Sequence, residues 1–204
     1  MVLAFAVVVF LVALKMPETN KHRALNAAER PITLITNYGI LLRSRAYWGF
    51  VSVGSLVFGG MFAFMVGVPF VIIEVLGYSP STYGWFSVSG IAGYMGGSWV
   101  TGRITDRIGV DRMVPIGVSI VGVGGVLFLV LGLWGFLSVY SLFGPLMLMA
   151  FGMAILFPST LAGSVSVFPR VAGAASALYG FIQMLTAAVT ISIVGLLSDG
   201  THMP

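Results

Sequence analysis

Gly102-Arg-Ile-Thr-Asp-Arg-Ile-Gly-Val-Asp-Arg112 carries five charges and two glycines in eleven residues, between two long apolar runs almost free of charge. Three arginines in so short a connection between hydrophobic spans mark the cytoplasmic side of a membrane. With that connection placed inside, the side of every other connection follows by counting crossings.

Composition agrees with the bilayer as solvent. Only 8% of residues are charged and 58% are hydrophobic, against roughly 25% charged in an ordinary soluble domain. A water-soluble fold could not cover itself with so few charges. The 27 glycines point the same way, because small residues let membrane helices approach closely. With no cysteine, disulfides and thiolate metal sites are excluded. The net charge of +4 sits in connections between apolar spans, so it sets topology and does not mark a nucleic-acid binder.

C-terminal to the charged stretch, Met113–Leu133 reads as a span, with Asp111 as its N-cap and Trp134 anchoring its outer end. The next span runs from Val139 to Phe157 and extends toward Val167, interrupted by Pro145 and Pro158. Phe168-Pro-Arg170 is a short turn before Val171–Leu197, which opens on the small face Gly173-Ala-Ala-Ser-Ala177.

On the N-terminal side, Tyr83–Thr101 is a span with Gly93-x-x-x-Gly97 on one face for close packing. Tyr47–Ile73 is 27 residues without a charge, ending at Glu74 and the turn Gly77-Tyr-Ser-Pro80. Straight, it would be ~40 Å long, so it must tilt, kink or overhang. Residues 15–46 are the one long polar connection, expected to be partly disordered or to lie on the membrane surface as short helices. Met1–Leu14 is apolar throughout, ~21 Å of helix, short of the ~30 Å hydrocarbon core. It lacks a positive n-region and a cleavage site, so it reads as the inner end of a helix whose beginning is missing. The expected organisation is a partial span at 1–14, a cytoplasmic central loop at 15–46 and a transmembrane bundle at 47–204.

The charges test this scheme. Six Lys and Arg fall between Lys15 and Arg45, three in the charged stretch, and the tenth is Arg170. All ten therefore lie in alternate connections, and an error of one crossing would destroy the sorting. The same count starts and ends the chain outside, with no charged cytoplasmic terminus, so both ends are expected to be cut.

The spacing Gly102-x3-Asp106-Arg107-x-Gly109-x2-Arg112 resembles the loop motif of the major facilitator superfamily, in the second-half position between helices eight and nine. Three further segments narrow the resemblance to the bicyclomycin and chloramphenicol resistance (Bcr/CflA) branch. They are Met16-Pro-Glu-Thr19, Gly60-Met-Phe-Ala-Phe-Met-Val-Gly-Val-Pro-Phe-Val71, and Phe157-Pro-Ser-Thr-Leu-Ala162 continuing through Phe168-Pro-Arg-Val-Ala-Gly-Ala-Ala-Ser-Ala-Leu178. The resemblance implies an all-α integral membrane fold: a half bundle of about six transmembrane helices, partial helix six to helix eleven of a twelve-helix parent. It implies a multi-pass drug:proton antiporter of the bacterial inner membrane, exporting small lipophilic drugs, with the proton gradient and no cofactor. Its partners would be the bilayer, the drug, protons and an N-terminal half. Helices one to five, with their first-half coupling motifs, and helix twelve have no counterpart in this sequence.

Each candidate residue has a plainer reading beside it. By resemblance, Gly102, Arg103, Asp106, Arg107, Gly109 and Arg112 form a cytoplasmic gate; by charge alone they fix topology, with Gly109 as the turn. A carboxylate at a helix N-terminus contributes ~0.3–1 kcal/mol, enough to bias two close states. Glu74 is either a proton carrier or a wet carboxylate at the end of its span. Gln183, mid-span with Tyr179 one turn earlier and Met184 beside it, is either a substrate contact or an interhelical hydrogen bond worth ~0.6 kcal/mol. Met61, Phe64 and Met65 are either cavity lining or packing. His22 and His202 lie in connections without partners for metal ligation or catalysis.

Other functions are separable. An organic-acid carrier needs a basic residue in its cavity, and every Lys and Arg here lies in a connection; a sugar carrier and a non-transporting remnant stay open. An intramembrane hydrolase needs a Ser–His pair, an Asp pair or a His cluster inside the spans, and no span contains them.

Overall fold

The computed structural model describes residues 31–75, 77–134 and 139–197. The expectations for Met1–Leu14, for Lys15 to Arg30 and for both histidines lie outside the described residues. The described bundle belongs to a compact unit that begins at Asn37.

Helix α1 (Pro31–Arg43) occupies the end of the expected central loop. Pro31 at its first position is pre-set in φ for a helix start, and Arg43 in its last turn complements the dipole. Ser44 then caps α2 (Arg45–Phe70), its Oγ accepting from the Tyr47 N–H at 3.3 Å. Near the end of the long charge-free span Pro69 removes a helical donor, and a π-helical turn at Val71–Val75 follows, carrying Glu74.

The charged stretch is not the loop expected of it. Helix α3 (Pro80–Ile108) runs straight through Gly102, Arg103, Asp106 and Arg107, and α4 (Val110–Leu133) begins two residues after α3 ends. Gly109 alone makes the turn, at φ 84° and ψ 155°, a region open essentially only to glycine. Gly109 is therefore also the N-cap position, which corrects Asp111; that carboxylate sits in the first turn of α4 and Gly109 gives no side-chain cap bond. Helix α5 (Val139–Ser166) passes both Pro145 and Pro158 without a break. A 3₁₀ turn at Pro169–Val171 leads to α6 (Ala172–Leu197).

Among the described residues, four stretches are long and apolar enough to cross a membrane: Arg45–Glu74, Val110–Leu133, Phe143–Ser166 and Pro169–Leu196. The expected span Tyr83–Thr101 is not among them, although α3 is 29 residues long. Its hydropathy is diluted by serines and by glycines used for packing. Gly90, Gly93, Gly96 and Gly97 all face α5, where a Cβ would meet Leu146, Met147, Phe151 or Ala154.

Helix α5 is the hub, packed against α2, α3, α4 and α6. The contact with α4 is close enough that Gly117 and Gly152 each approach the other's carbonyl. Helices α2 and α6 pack along Gly54 and Gly59. A buried cluster of Leu41, Tyr47, Val51, Ala175 and Tyr179 closes one end of that seam, and the Tyr47 hydroxyl donates to the Ala175 carbonyl at 2.7 Å. Pro158 has no N–H for the Ala154 carbonyl. The Thr101 hydroxyl of α3 lies 2.8 Å from the Gly97 carbonyl and 3.3 Å from that oxygen, so a neighbouring helix offers it a share of one proton.

Candidate functional site

Met61, Phe64 and Met65 recur at i, i+3 and i+4 on α2 and therefore share one face. The structure turns that face toward a cavity of about 380 Å³ between α2, α3 and α5. Helix α3 contributes Tyr83, Ser87, Gly90, Ile91 and Tyr94, and α5 contributes Leu146, Met149, Ala150 and Met153. No lining residue carries a formal charge. The volume lies within the ~300–1,000 Å³ range of small-molecule sites.

The wall combines four thioethers with three aromatic rings. Thioethers are polarizable and adapt to irregular shapes, and rings give planar stacking surfaces. Phe64 is held in place by an edge contact with Phe128, ring centres 5.2 Å apart. The Ser87 hydroxyl donates to the Tyr83 carbonyl at 3.1 Å, which occupies its proton. Such a lining favours an uncharged molecule, since a bare charge there would lose hydration without an opposite charge to meet it. Among the described residues no group of His, Asp and Glu could hold a metal ion.

The remaining candidates lie elsewhere. Gln183 and Tyr179 belong to a separate polar cluster against α5 and do not line the cavity. Met184 is 59% exposed and likewise outside it. Glu74 is exposed in the π-helical turn and does not line it.

In the charged stretch, Asp106, Arg107 and Arg112 are exposed. Arg103 lays its guanidinium over the Trp99 ring, 3.7 Å from its centre. A Cβ on Gly102 would meet nothing within 4 Å.

Sequence reasoning missed the contributions of α3 and α5 to the cavity. A signal was present in Ser87-x-x-Gly90-Ile91-x-x-Tyr94, spaced as one helical face, and in Met149 and Met153 four residues apart. Nothing in either pattern says that the two faces converge.

Apolar helices gathered on a glycine-lined hub and a basic hairpin turning on one residue define a multi-pass membrane protein, with an uncharged, partly open cavity between three of its helices. Residues 1–191 match the family model of the Major Facilitator Superfamily, and the chain belongs to that family. It is a family of membrane transporters, so the chain is not an enzyme. The chain is 25% identical over 99% of its length to a bicyclomycin resistance protein homolog of Haemophilus influenzae. It is 28% identical over 93% to multidrug resistance protein D of Escherichia coli, and 29% identical over its whole length to the MFS-type transporter YdgK of Bacillus subtilis. The matches cover 49%, 46% and 50% of those proteins, so the chain spans about half the length of the curated relatives it matches. No solved structure matches it.

Proposed function

We propose that this chain forms the C-terminal half of a drug:proton antiporter of the Bcr/CflA type, exporting small lipophilic drugs across a bacterial plasma membrane by alternating access. The uncharged cavity of thioethers and aromatic rings carries the reading, because it offers an apolar molecule adaptable contacts and offers an ion nothing. The resistance names of two relatives support the same substrate class. In this reading an N-terminal half supplies the rest of the central pathway and the proton-coupling groups. The α3–α4 hairpin acts at the cytoplasmic gate, with Asp106 and its neighbouring arginines engaging that half in one state only.

The test is export from drug-hypersensitive cells expressing the chain with the N-terminal half of the Escherichia coli relative. The pair is expected to expel a lipophilic dye in a proton-gradient-dependent way, and the chain alone is not. Met65→Asp puts a carboxylate on the cavity wall and is expected to cut export about tenfold or more, with membrane insertion unchanged. Met65→Leu keeps the volume and the export. Export insensitive to Met65→Asp would remove the cavity from the transport path.

A further inference from the structure

Two hydroxyls and an amide run in a line between α6 and α5. Gln183 Nε2 lies 3.4 Å from the Tyr179 hydroxyl, and that hydroxyl lies 2.8 Å from Thr160 Oγ1. Thr160 Oγ1 is in turn 3.0 Å from the Leu156 carbonyl. Thr160 and Tyr179 are buried, whereas Gln183 is only half-buried and forms the open end. Gly54 of α2 makes room for the line, since a Cβ there would strike the Tyr179 hydroxyl and come within 2.8 Å of Thr160 Oγ1.

Each hydroxyl has one proton, so the line can be polarised in two ways. In one, Gln183 donates to Tyr179, Tyr179 donates to Thr160, and Thr160 donates to the Leu156 carbonyl; the Gln183 Oε1 is then left outward as an acceptor. In the other, Thr160 donates to Tyr179, Tyr179 donates to the turned-over amide, and the Gln183 NH₂ is left outward as a donor. Both keep the two buried hydroxyls satisfied. The Leu156 carbonyl loses only a side-chain bond between them, because it still faces the helical N–H of residue 160. The longest link is the one to Gln183, where the amide has to rotate.

We propose that Gln183, Tyr179 and Thr160 form a reversible hydrogen-bond reader for uncharged lipophilic molecules, accepting either a single donor or a single acceptor on the ligand. Gln183 touches the ligand, while Tyr179 and Thr160 set which end of its amide faces out. Its surroundings suit such a molecule: Phe181 and Met184 beside it are exposed, and α6 carries no charge between Arg170 and the end of the helix. This goes beyond the exporter reading, because the reader lies outside the cavity; it is measured by binding, so it and export fail separately.

The experiment uses the 204-residue chain in lipid nanodiscs with three tritiated tricyclic probes of nearly equal shape. Carbazole carries an N–H donor, fluorenone a carbonyl acceptor and fluorene neither. Carbazole and fluorenone are each expected to bind about fivefold tighter than fluorene, the effect of one hydrogen bond. Gln183→Leu is expected to bring all three together. Thr160→Val leaves Tyr179 no side-chain acceptor but the Gln183 oxygen, which locks the donor outward; fluorenone then keeps its advantage and carbazole loses it. Adding Tyr179→Phe frees the amide again and restores carbazole, a rescue that a misfolded variant cannot show. The proposal is overturned if neither probe outbinds fluorene, if the advantage survives Gln183→Leu, or if Thr160→Val affects carbazole and fluorenone alike.

Discussion

Along α3, Gly93 and Gly97 sit where the carbonyls of Met147 and Phe151 leave no room for a Cβ, whereas Gly102, five residues further on, faces open space. The two regions use the same residue type on one continuous helix. In the first, glycine gives up side-chain volume so that α3 and α5 can bring their backbones together, the usual source of helix association where lipid removes the hydrophobic drive. The second has no such contact within the bundle, and its charged neighbours Asp106 and Arg107 are exposed. The seam holds the cavity walls at their spacing, since Gly90, beside it, lines the cavity with Leu146 opposite. At the hairpin end Gly102, Asp106 and Arg107 face away from the described bundle, which leaves that face open to something outside it.

The seam is the place to break that contrast hardest. Gly97→Leu drives a side chain against the Phe151 carbonyl and the Ala154 methyl, neither of which can swing away. It is expected to destabilise the bundle by ~3 kcal/mol, read as a lower midpoint of unfolding in mixed micelles and an altered distance between labels on α3 and α5. An unchanged midpoint would mean that the helices do not approach this closely in lipid. Gly109→Ala comes next. The turn needs φ 84°, a conformation that costs other residues ~1–3 kcal/mol, so the α3–α4 hairpin is expected to open and protease to cut there. Thr101→Val is smaller. It removes the hydroxyl beside the Ala154 carbonyl that Pro158 leaves without a helical partner, and ~0.6 kcal/mol of stability should go with it.

The same contrast shows what could be read from the chain. Four of the expected spans and the close packing at Gly93 and Gly97 followed from hydropathy and glycine spacing, because both express how one helix meets lipid or its neighbour. The end of α3 did not follow. Charge density suggested a loop, but charges at a membrane surface are compatible with helix, and only the backbone of Gly109 fixes where the turn falls. The cavity was legible on one wall. Met61, Phe64 and Met65 announce a face by their spacing, whereas convergence with Tyr94 and Met153 depends on how three helices tilt about α5. Gln183 stands out for its mid-span polarity with Tyr179 one turn earlier, yet the further link from Tyr179 to Thr160 required the position of Gly54, a residue with no polar signal of its own.

The smallest expected effect is the most informative about the hairpin. Gly102→Ala adds a methyl to a helical position where nothing lies within 4 Å, and alanine is the better helix former by ~0.5–1 kcal/mol. The chain's own stability is therefore expected to stay level or rise slightly, in contrast to the loss at Gly97. If the hairpin closes against an N-terminal half during transport, the same methyl will cut export while leaving stability alone. That split would place Gly102 in a moving contact, with Asp106 and Arg107 one turn away on the same helix. Export and stability both unchanged would return Gly102 to an ordinary helical position and leave the arginines as determinants of topology.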